Sequence, residues 1–141
     1  MQTSLAGQRA LVCGASQGIG RACAEALTAQ GAAVTMLART VEKLEDVKAQ
    51  LPGGDHHCLQ ADLADWQNAG EVVAKHIADT GPINILVHNC GGPKAGPASE
   101  AAPEAFLAGL TPHVLGGQSL VQAVLPGMRS SGYGRIINIV S

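Results

Sequence analysis

The feature that most constrains this chain is a cluster of glycines near its N-terminus, in the run Gly14-Ala15-Ser16-Gln17-Gly18-Ile19-Gly20, here called the glycine turn. A continuous apolar stretch, residues 10–13, precedes this run and is typical of a buried strand. Apolar residues at helical spacing follow it: Ile19, Ala22, Cys23, Ala26 and Leu27. Because Gly14 permits a sharp turn and Gly20 permits close helix–sheet packing, the run predicts a strand that passes directly into a helix.

The same alternation of strand and helix patterns continues along the chain. Short apolar runs predict further strands at residues 33–38, 57–61, 83–87 and 135–140. Helical periodicity fills the intervals, with Asp65 as the predicted N-cap of one helix. A long helix is predicted from 103 to 129, bent or interrupted at Pro112 and Pro126. The pattern predicts an α/β fold with a parallel sheet, in one domain over residues 1–141.

Composition excludes several classes of function. Only 14% of the residues are charged and the formal net charge is −2, so no basic excess attracts nucleic acid or an anionic membrane. Aromatic residues are 2%, which leaves few surfaces for base stacking. No apolar run approaches the roughly 20 residues that span a bilayer, and the N-terminus does not resemble a signal peptide. The four cysteines form no C-x-x-C pair, so we expect a cytoplasmic protein with reduced thiols and no metal site.

The glycine turn also predicts a chemistry, the binding of phosphate groups. Without a Cβ, Gly18 leaves room for a phosphate close to the backbone. The free N–H groups of the first helical turn then face that phosphate, and the helix dipole adds to the attraction. A glycine triad alone can be an ordinary tight loop, but its place between an apolar strand and an amphipathic helix is the context that dinucleotide binding requires.

Several motifs in register resemble the short-chain dehydrogenase/reductase family. The segment from Leu11 to Arg21 looks like the glycine-rich fingerprint of that family, and Asp62-Leu63 and Asn89-Cys90-Gly91 follow the third and fourth strands. The resemblance continues in two more stretches: Leu125-Pro126-Gly127-Met128 and Gly134-Arg135-Ile136-Ile137-Asn138-Ile139-Val140-Ser141. It implies a Rossmann-type doubly wound parallel sheet with five strands present, in the order 3-2-1-4-5. The domain would bind NAD(P) and would lack the C-terminal strands of the full fold.

The resemblance also implies a set of residues that contact the cofactor. They are Gly14, Ser16, Gln17, Gly18, Ile19, Gly20, Arg39, Asp62, Leu63, Asn89, Cys90 and Gly91. Asp62 would bond the adenine amine with Leu63 beside it, and Asn89 and Gly91 would approach the ribose on the nicotinamide side. These residues follow strand ends, where open α/β sheets bind ligands, although ordinary turn residues occupy such places too.

The end of the second strand indicates which dinucleotide is bound. An acidic side chain there would bond the ribose 2′-OH of NAD and repel a 2′-phosphate. This chain has Ala38 and Arg39 instead, and a guanidinium can pair with a phosphate. We therefore expect NADP(H) rather than NAD(H). The alternative is that Arg39 is a solvated loop residue.

The reaction of the family is hydride transfer between nicotinamide and a carbonyl or secondary alcohol, with a tyrosine, a lysine, a serine and an asparagine in the usual site. Ser141 aligns with the catalytic serine, and the Tyr-x-x-x-Lys pair would lie further along. Tyr133 is no substitute because Ile137 stands at the lysine position, and the asparagine position carries His113. We expect the full-length parent to be an NADP(H)-dependent oxidoreductase that acts on a small carbonyl or alcohol substrate. The 141-residue chain alone is expected to be inactive. A non-catalytic dinucleotide-binding sensor or scaffold of the same fold is the alternative.

The last residues carry two further expectations. An end at Ser141 would leave residues 136–140 as an exposed apolar edge, which is an aggregation liability, so we expect the sequence to be part of a longer chain. Family members often assemble through their long helices, so the resemblance implies a homo-oligomer, a dimer or tetramer, although Pro112 weakens that analogy.

One motif and several side chains are discounted as functional. Asp55-His56-His57-Cys58 spells a signature of membrane palmitoyl-transferases, but neighbouring strand residues point to opposite faces and cannot converge on one zinc ion. His76 and His88 are interpreted as ordinary surface or packing residues. Cys13 and Cys90 are interpreted as small buried hydrophobes.

Overall fold

The computed structural model describes residues 4–140, which form one parallel sheet with helices on both faces. The strands are β1 (Arg9–Cys13), β2 (Ala33–Ala38), β3 (His57–Gln60), β4 (Ile85–His88) and β5 (Arg135–Asn138). All pairings are parallel and the order is β3-β2-β1-β4-β5, which confirms the predicted fold class and strand order. The predicted bounds of β1, β3, β4 and β5 were wrong by one or two residues at their ends, because ladder pairing rather than apolar character sets those limits.

The helices are α1 (Gly18–Ala29), α2 (Val41–Lys48), α3 (Trp66–Thr80), α4 (Pro103–Leu110) and α5 (Gly117–Ser131), with a short 3₁₀ turn at Ala98–Glu100. The predicted cap of α3 is confirmed, since the Asp65 carboxylate accepts a hydrogen bond from the backbone N–H of Asn68 at 3.3 Å. Every helix within residues 4–140 is too short or too polar to cross a lipid bilayer.

The core lies on both sides of β1, whose side chains alternate between two apolar layers. Ala10 and Val12 pack with α1 and α2, whereas Leu11 and Cys13 pack with α3 and α5. Because helices cover both faces, the central strands are continuously apolar rather than alternating. The arrangement brings the carboxyl ends of β1, β2 and β4 to one edge of the sheet, next to the N-terminus of α1.

The long helix predicted from 103 to 129 is divided by a π-helical turn at Thr111–Gly116. Pro112 lies in this turn, as expected for a residue that has no N–H to donate and needs room for its ring. Pro126 lies inside α5, and the helix continues through it. The interruption is therefore at the first proline only.

The outer strand β5 pairs with β4 on one side and is exposed along its length, as predicted. Ile136 and Ile137 remain 38% and 45% exposed, although they belong to the apolar run that predicted the strand. An exposed apolar strand of this kind is a template for pairing with further chain.

Candidate functional site

A cleft of about 700 Å³ opens at the edge where the strands end. It is lined by nearly all of the predicted cofactor-binding residues: Gly14, Ser16, Gln17, Gly18, Ile19, Arg39, Asp62, Leu63, Asn89, Cys90 and Gly91. Gly20, the remaining member of the predicted set, is buried behind the turn, and Ser141, the predicted catalytic serine, lies outside the described residues. Topology thus assembles one site from four separate strand ends, because parallel strands all finish at the same edge.

The glycine turn has the geometry that its sequence predicts. Gly14 has a φ of +61°, and a Cβ on it would lie 2.6 Å from the side-chain nitrogen of Asn89 and 2.8 Å from its carbonyl oxygen. Gly18 has a φ of +56°, yet nothing lies within 4 Å of the place where its Cβ would be. The first glycine is required by crowding with Asn89, the residue that follows β4, whereas the second faces open space inside the cleft.

The N-terminus of α1 opens into the cleft without a cap. Gln17 occupies the N-cap position and makes no side-chain capping bond, and the first turn contains no acidic residue. The N–H groups of a first helical turn have no acceptor inside the helix. Together with the helix dipole, these groups form an arrangement suited to an anion such as a phosphate.

A positive group lies where the cleft passes β2. Arg39 follows the last residue of β2 and is exposed, and its backbone oxygen accepts a hydrogen bond from Gln60 at 2.8 Å. Within residues 4–140 its side chain takes part in no ion pair. Ala38 contributes no carboxylate, so this end of the cleft is open to a negatively charged ligand.

The turns after β3 and β4 form the floor of the cleft. Asp62 accepts a hydrogen bond from the backbone N–H of Ala64 at 2.9 Å, which holds its carboxylate at the start of the turn into α3. Asn89 donates to the carbonyl oxygen of Cys13 at 3.3 Å and so ties β4 to β1. Leu63 is 7% exposed, and the π-helical turn packs against it, since a Cβ on Gly116 would meet the Leu63 carbonyl oxygen.

A contact between Cys90 and His113 was missed by sequence reasoning. Cys90 Sγ lies 3.2 Å from His113 Nδ1, so the thiol is a half-buried polar neighbour of the π-helical turn rather than a small buried hydrophobe. Burial raises the pKa of the Cys90 thiol. Cys13 does match its prediction, because it is fully buried and burial raises the pKa of its thiol to about 12.

His88 and His76 are packing residues, as predicted. His88 is 2% exposed, and its Nε2 lies 3.1 Å from the Pro112 carbonyl oxygen, where burial lowers the pKa of the imidazole. His76 is buried beside Thr35, with Nε2 and the hydroxyl oxygen 2.9 Å apart. Neither histidine lines the cleft.

The motif Asp55-His56-His57-Cys58 is divided between two environments. His56 is buried and accepts a hydrogen bond from the backbone N–H of Val34 at 3.1 Å. His57 instead pairs with Asp55, 3.2 Å from Nε2 to the carboxylate. The described residues hold no group of three histidine, cysteine or carboxylate side chains placed to bind a metal ion.

Several cleft residues had no sequence motif to reveal them. They are Thr40, Lys43, Lys94, Ala105, Ala108, Gly109 and Pro112. Most lie on α4 or the loop before it, and only the packing of α4 beside the strand ends brings them to the cleft. Thr40 and Lys43 follow Arg39 closely in sequence, and their nearness to a predicted binding residue is a signal that the sequence alone contains.

Comparison with known proteins identifies the family. The short chain dehydrogenase family model matches residues 8–141. L-xylulose reductase from Cavia porcellus is 37% identical over 142 residues, covering 100% of this chain and 56% of that protein. The chain belongs to the short-chain dehydrogenases, a family of oxidoreductases, and it spans about half the length of the curated relatives it matches.

Two solved structures illustrate the similarity of fold. A metagenomic short-chain oxidoreductase in complex with NADP has a TM-score of 0.88 and 35% identity, covering 97% of this chain and 62% of that chain. L-sorbose reductase from Gluconobacter frateurii, complexed with NADPH and L-sorbose, has a TM-score of 0.90 and 30% identity. The match covers 98% of this chain and 54% of that chain.

Proposed function

We propose that this chain is the NADP(H)-binding part of an oxidoreductase that transfers hydride between nicotinamide and a carbonyl or secondary alcohol carbon. The observation that carries the proposal is the pair of anion-binding features in one cleft: the uncapped N-terminus of α1, and Arg39, which has no ion pair within residues 4–140. Related proteins of the same fold in complex with NADP and with NADPH support the choice of cofactor.

In this proposal each part of the cleft holds one part of the dinucleotide. The glycine turn binds the pyrophosphate, because Gly18 leaves open space beside the free N–H groups of α1. Asp62 and Leu63 bind the adenine, and Asn89, Cys90 and Gly91 line the path towards the nicotinamide. The bound cofactor supplies or accepts the hydride, while these residues orient it at the edge of the sheet.

Cofactor selection rests on the end of β2. A charge-assisted hydrogen bond contributes about 1.5–3 kcal/mol, or roughly 10- to 150-fold in affinity. Because Arg39 is exposed to solvent, we expect its contribution to the binding of a 2′-phosphate to lie at the low end. Ala38, in place of an acidic residue, contributes no carboxylate that would repel the phosphate.

The substrate class that we propose is a ketose or polyol. The supporting observation is that relatives matched over nearly all of this chain are reductases of L-xylulose and L-sorbose. Ser141 would bond the substrate oxygen in the parent protein. Proton transfer would need groups supplied by the rest of that protein.

We also propose that the parent protein is a homo-oligomer. The supporting observation is a row of apolar side chains on α4 and the π-helical turn that stay about half exposed: Phe106, Leu107, Leu110, Val114 and Leu115. A contiguous exposed apolar patch is typical of an interaction surface. Analytical ultracentrifugation of the parent protein tests this, and a monomer at micromolar concentration would contradict it.

The cofactor proposal is tested by calorimetric titration of the chain with NADP⁺ and with NAD⁺. We expect the chain to bind NADP⁺ more tightly than NAD⁺. Arg39→Ala should weaken NADP⁺ binding roughly tenfold and leave NAD⁺ binding unchanged. Arg129→Ala is the matched control, because Arg129 is an exposed arginine on α5 that does not line the cleft. Equal binding of the two dinucleotides, unchanged in Arg39→Ala, would contradict the proposal.

Catalysis is tested separately on the full-length parent. Oxidation of NADPH is followed with a panel of ketoses and simple ketones. Turnover of a ketose supports the proposal that the parent protein is an enzyme. Binding of NADPH without turnover of any carbonyl substrate would favour the non-catalytic alternative.

A further inference from the structure

We propose that Lys43 is a second residue that selects NADP(H), by binding the same 2′-phosphate as Arg39. The inference rests on the proposed function, because it needs a dinucleotide in the cleft. It adds a specificity residue that lies outside the strand-end position from which the cofactor was predicted.

Lys43 lies in the first turn of α2, which begins at Val41 directly after the β2–α2 junction. Its side chain lines the cleft together with Arg39 and Thr40. Glu42, the acidic residue of the same helical turn, does not line the cleft. The cleft wall at this point is therefore formed by two cations and a hydroxyl group.

The cation of Lys43 has no carboxylate partner among residues 4–140. Lys48, on the same helix, pairs with Glu45 at 3.0 Å, and Arg9 and Arg21 pair with Asp55 and Glu25. Asp46 stands three residues after Lys43, at a spacing that supports helical ion pairs, yet the two make none. The ammonium group of Lys43 is thus free to bind a ligand.

The helix dipole makes this position unusual for a lysine. The N-terminus of a helix carries partial positive charge, so a cation is unfavourable in the first turn and favourable in the last. Lys48 occupies the favourable end of α2, whereas Lys43 occupies the unfavourable end. Thr40, at the N-cap position, makes no side-chain capping bond that would offset this charge. Glu42, in the same turn, offsets part of this positive charge but does not line the cleft. A dianion bound beside Lys43 would add the compensating charge on the cleft side of the helix.

A phosphate monoester matches these groups in charge and in hydrogen bonding. It carries about −1.5 to −2 charges at neutral pH and three acceptor oxygens. Arg39 can donate two hydrogen bonds from its planar guanidinium, while Lys43 adds a point charge. The 2′-hydroxyl of NAD offers no such charge, so the contribution of Lys43 is specific to the phosphorylated cofactor.

The test compares the binding of adenosine 2′,5′-bisphosphate with that of adenosine 5′-monophosphate, by calorimetric titration of the chain. We expect Lys43→Ala to weaken binding of the bisphosphate about three- to tenfold, because the side chain is exposed, and to leave the monophosphate unchanged. Lys43→Arg should retain the preference. Lys48→Ala is the matched control, since it removes a lysine of the same helix that does not line the cleft.

The outcomes separate this inference from the proposed function. If Arg39→Ala lowers the preference for the bisphosphate while Lys43→Ala behaves like Lys48→Ala, the role of Lys43 is overturned and the proposed cofactor stands. If the wild-type chain shows no preference for the bisphosphate, the proposed cofactor fails and the inference fails with it. Increasing salt should reduce the preference in the wild-type chain more than in Lys43→Ala.

Discussion

The carbonyl oxygen of Gly14 occupies the space that a side chain on Gly20 would need. The backbone of Cys13 is nearly as close, with its carbonyl oxygen 2.8 Å from the position of a Cβ on Gly20. Backbone atoms of a central strand cannot move aside as the end of a flexible side chain can. This contact joins the start of α1 to the end of β1 and so fixes the cleft edge on which the proposed phosphate site depends.

Gly20→Ala should therefore reduce both stability and binding. A forced methyl group in a packed interior typically costs about 1–3 kcal/mol, and separation of α1 from β1 displaces the N–H groups of the helix. We expect a lower urea midpoint and loss of NADP⁺ binding in calorimetry. Gly54→Ala is the control, because nothing lies within 4 Å of its Cβ position. If Gly20→Ala unfolds at the same urea concentration as that control, the contact does not constrain the turn.

A second close contact joins α3 to α5 through Gly70 and Ser119. The hydroxyl of Ser119 donates to the Trp66 carbonyl oxygen at 2.7 Å and fills the place of a Cβ on Gly70. Gly70→Ala should destabilise the chain by about 1–3 kcal/mol, and Ser119→Ala should cost about 1 kcal/mol for the lost hydrogen bond. In the double variant the hydroxyl is gone, so the alanine fits and the two losses should not add. Strict additivity in chemical denaturation would show that the two residues do not compete for space.

The fold and most of the cleft could be predicted because their signals are local in sequence. The glycine turn lies between an apolar strand and an amphipathic helix, and Asp62 and Asn89 directly follow strands. Parallel topology brings all strand ends to one edge, so predicting the strands was enough to place these residues together.

The contacts that sequence reasoning missed depend on packing between elements distant in the chain. Cys90 and His113 meet because a π-helical turn at Pro112 directs the histidine towards the end of β4. The apolar periodicity of residues 103–129 predicts one long helix, because this pattern does not reveal a local change of helical pitch. The predicted β5 was also too long, since Ile139 and Val140 are apolar but lie beyond the residues that pair in register with β4.

The thiol of Cys13 should be the least reactive of the four cysteines in the native chain. It is fully buried, and burial raises its pKa to about 12, so at mildly alkaline pH it stays protonated as well as inaccessible. Labelling with a thiol reagent, followed by peptide mass spectrometry, should mark Cys23 on α1 well before Cys13. In urea both should react at similar rates. Equally rapid native labelling of the two would contradict the burial of β1.

Acid should destabilise the chain through two buried histidines. Burial, followed by the charges of neighbouring groups, lowers the pKa of His76 below its ordinary 6.5, and burial also lowers that of His88. The folded chain therefore favours the neutral rings, whereas the unfolded chain binds a proton near pH 6.5. The resulting stability is present above pH 6.5 and is lost as the pH falls towards the folded pKa values. Each histidine adds at most about 1.4 kcal/mol per pH unit to the slope.

Urea titrations between neutral and mildly acidic pH measure this dependence. His76→Gln loses the ring that lies beside the Thr35 hydroxyl, and His88→Gln loses the ring beside the Pro112 carbonyl oxygen, so both variants should be less stable at neutral pH. Their unfolding free energies should nevertheless fall less steeply below pH 6.5 than that of the wild-type chain, and the double variant least steeply. The slope, rather than the absolute stability, is the readout, because a substitution that merely disturbs packing lowers the whole curve without flattening it. Parallel curves for all four proteins would show that neither histidine is held neutral by the fold.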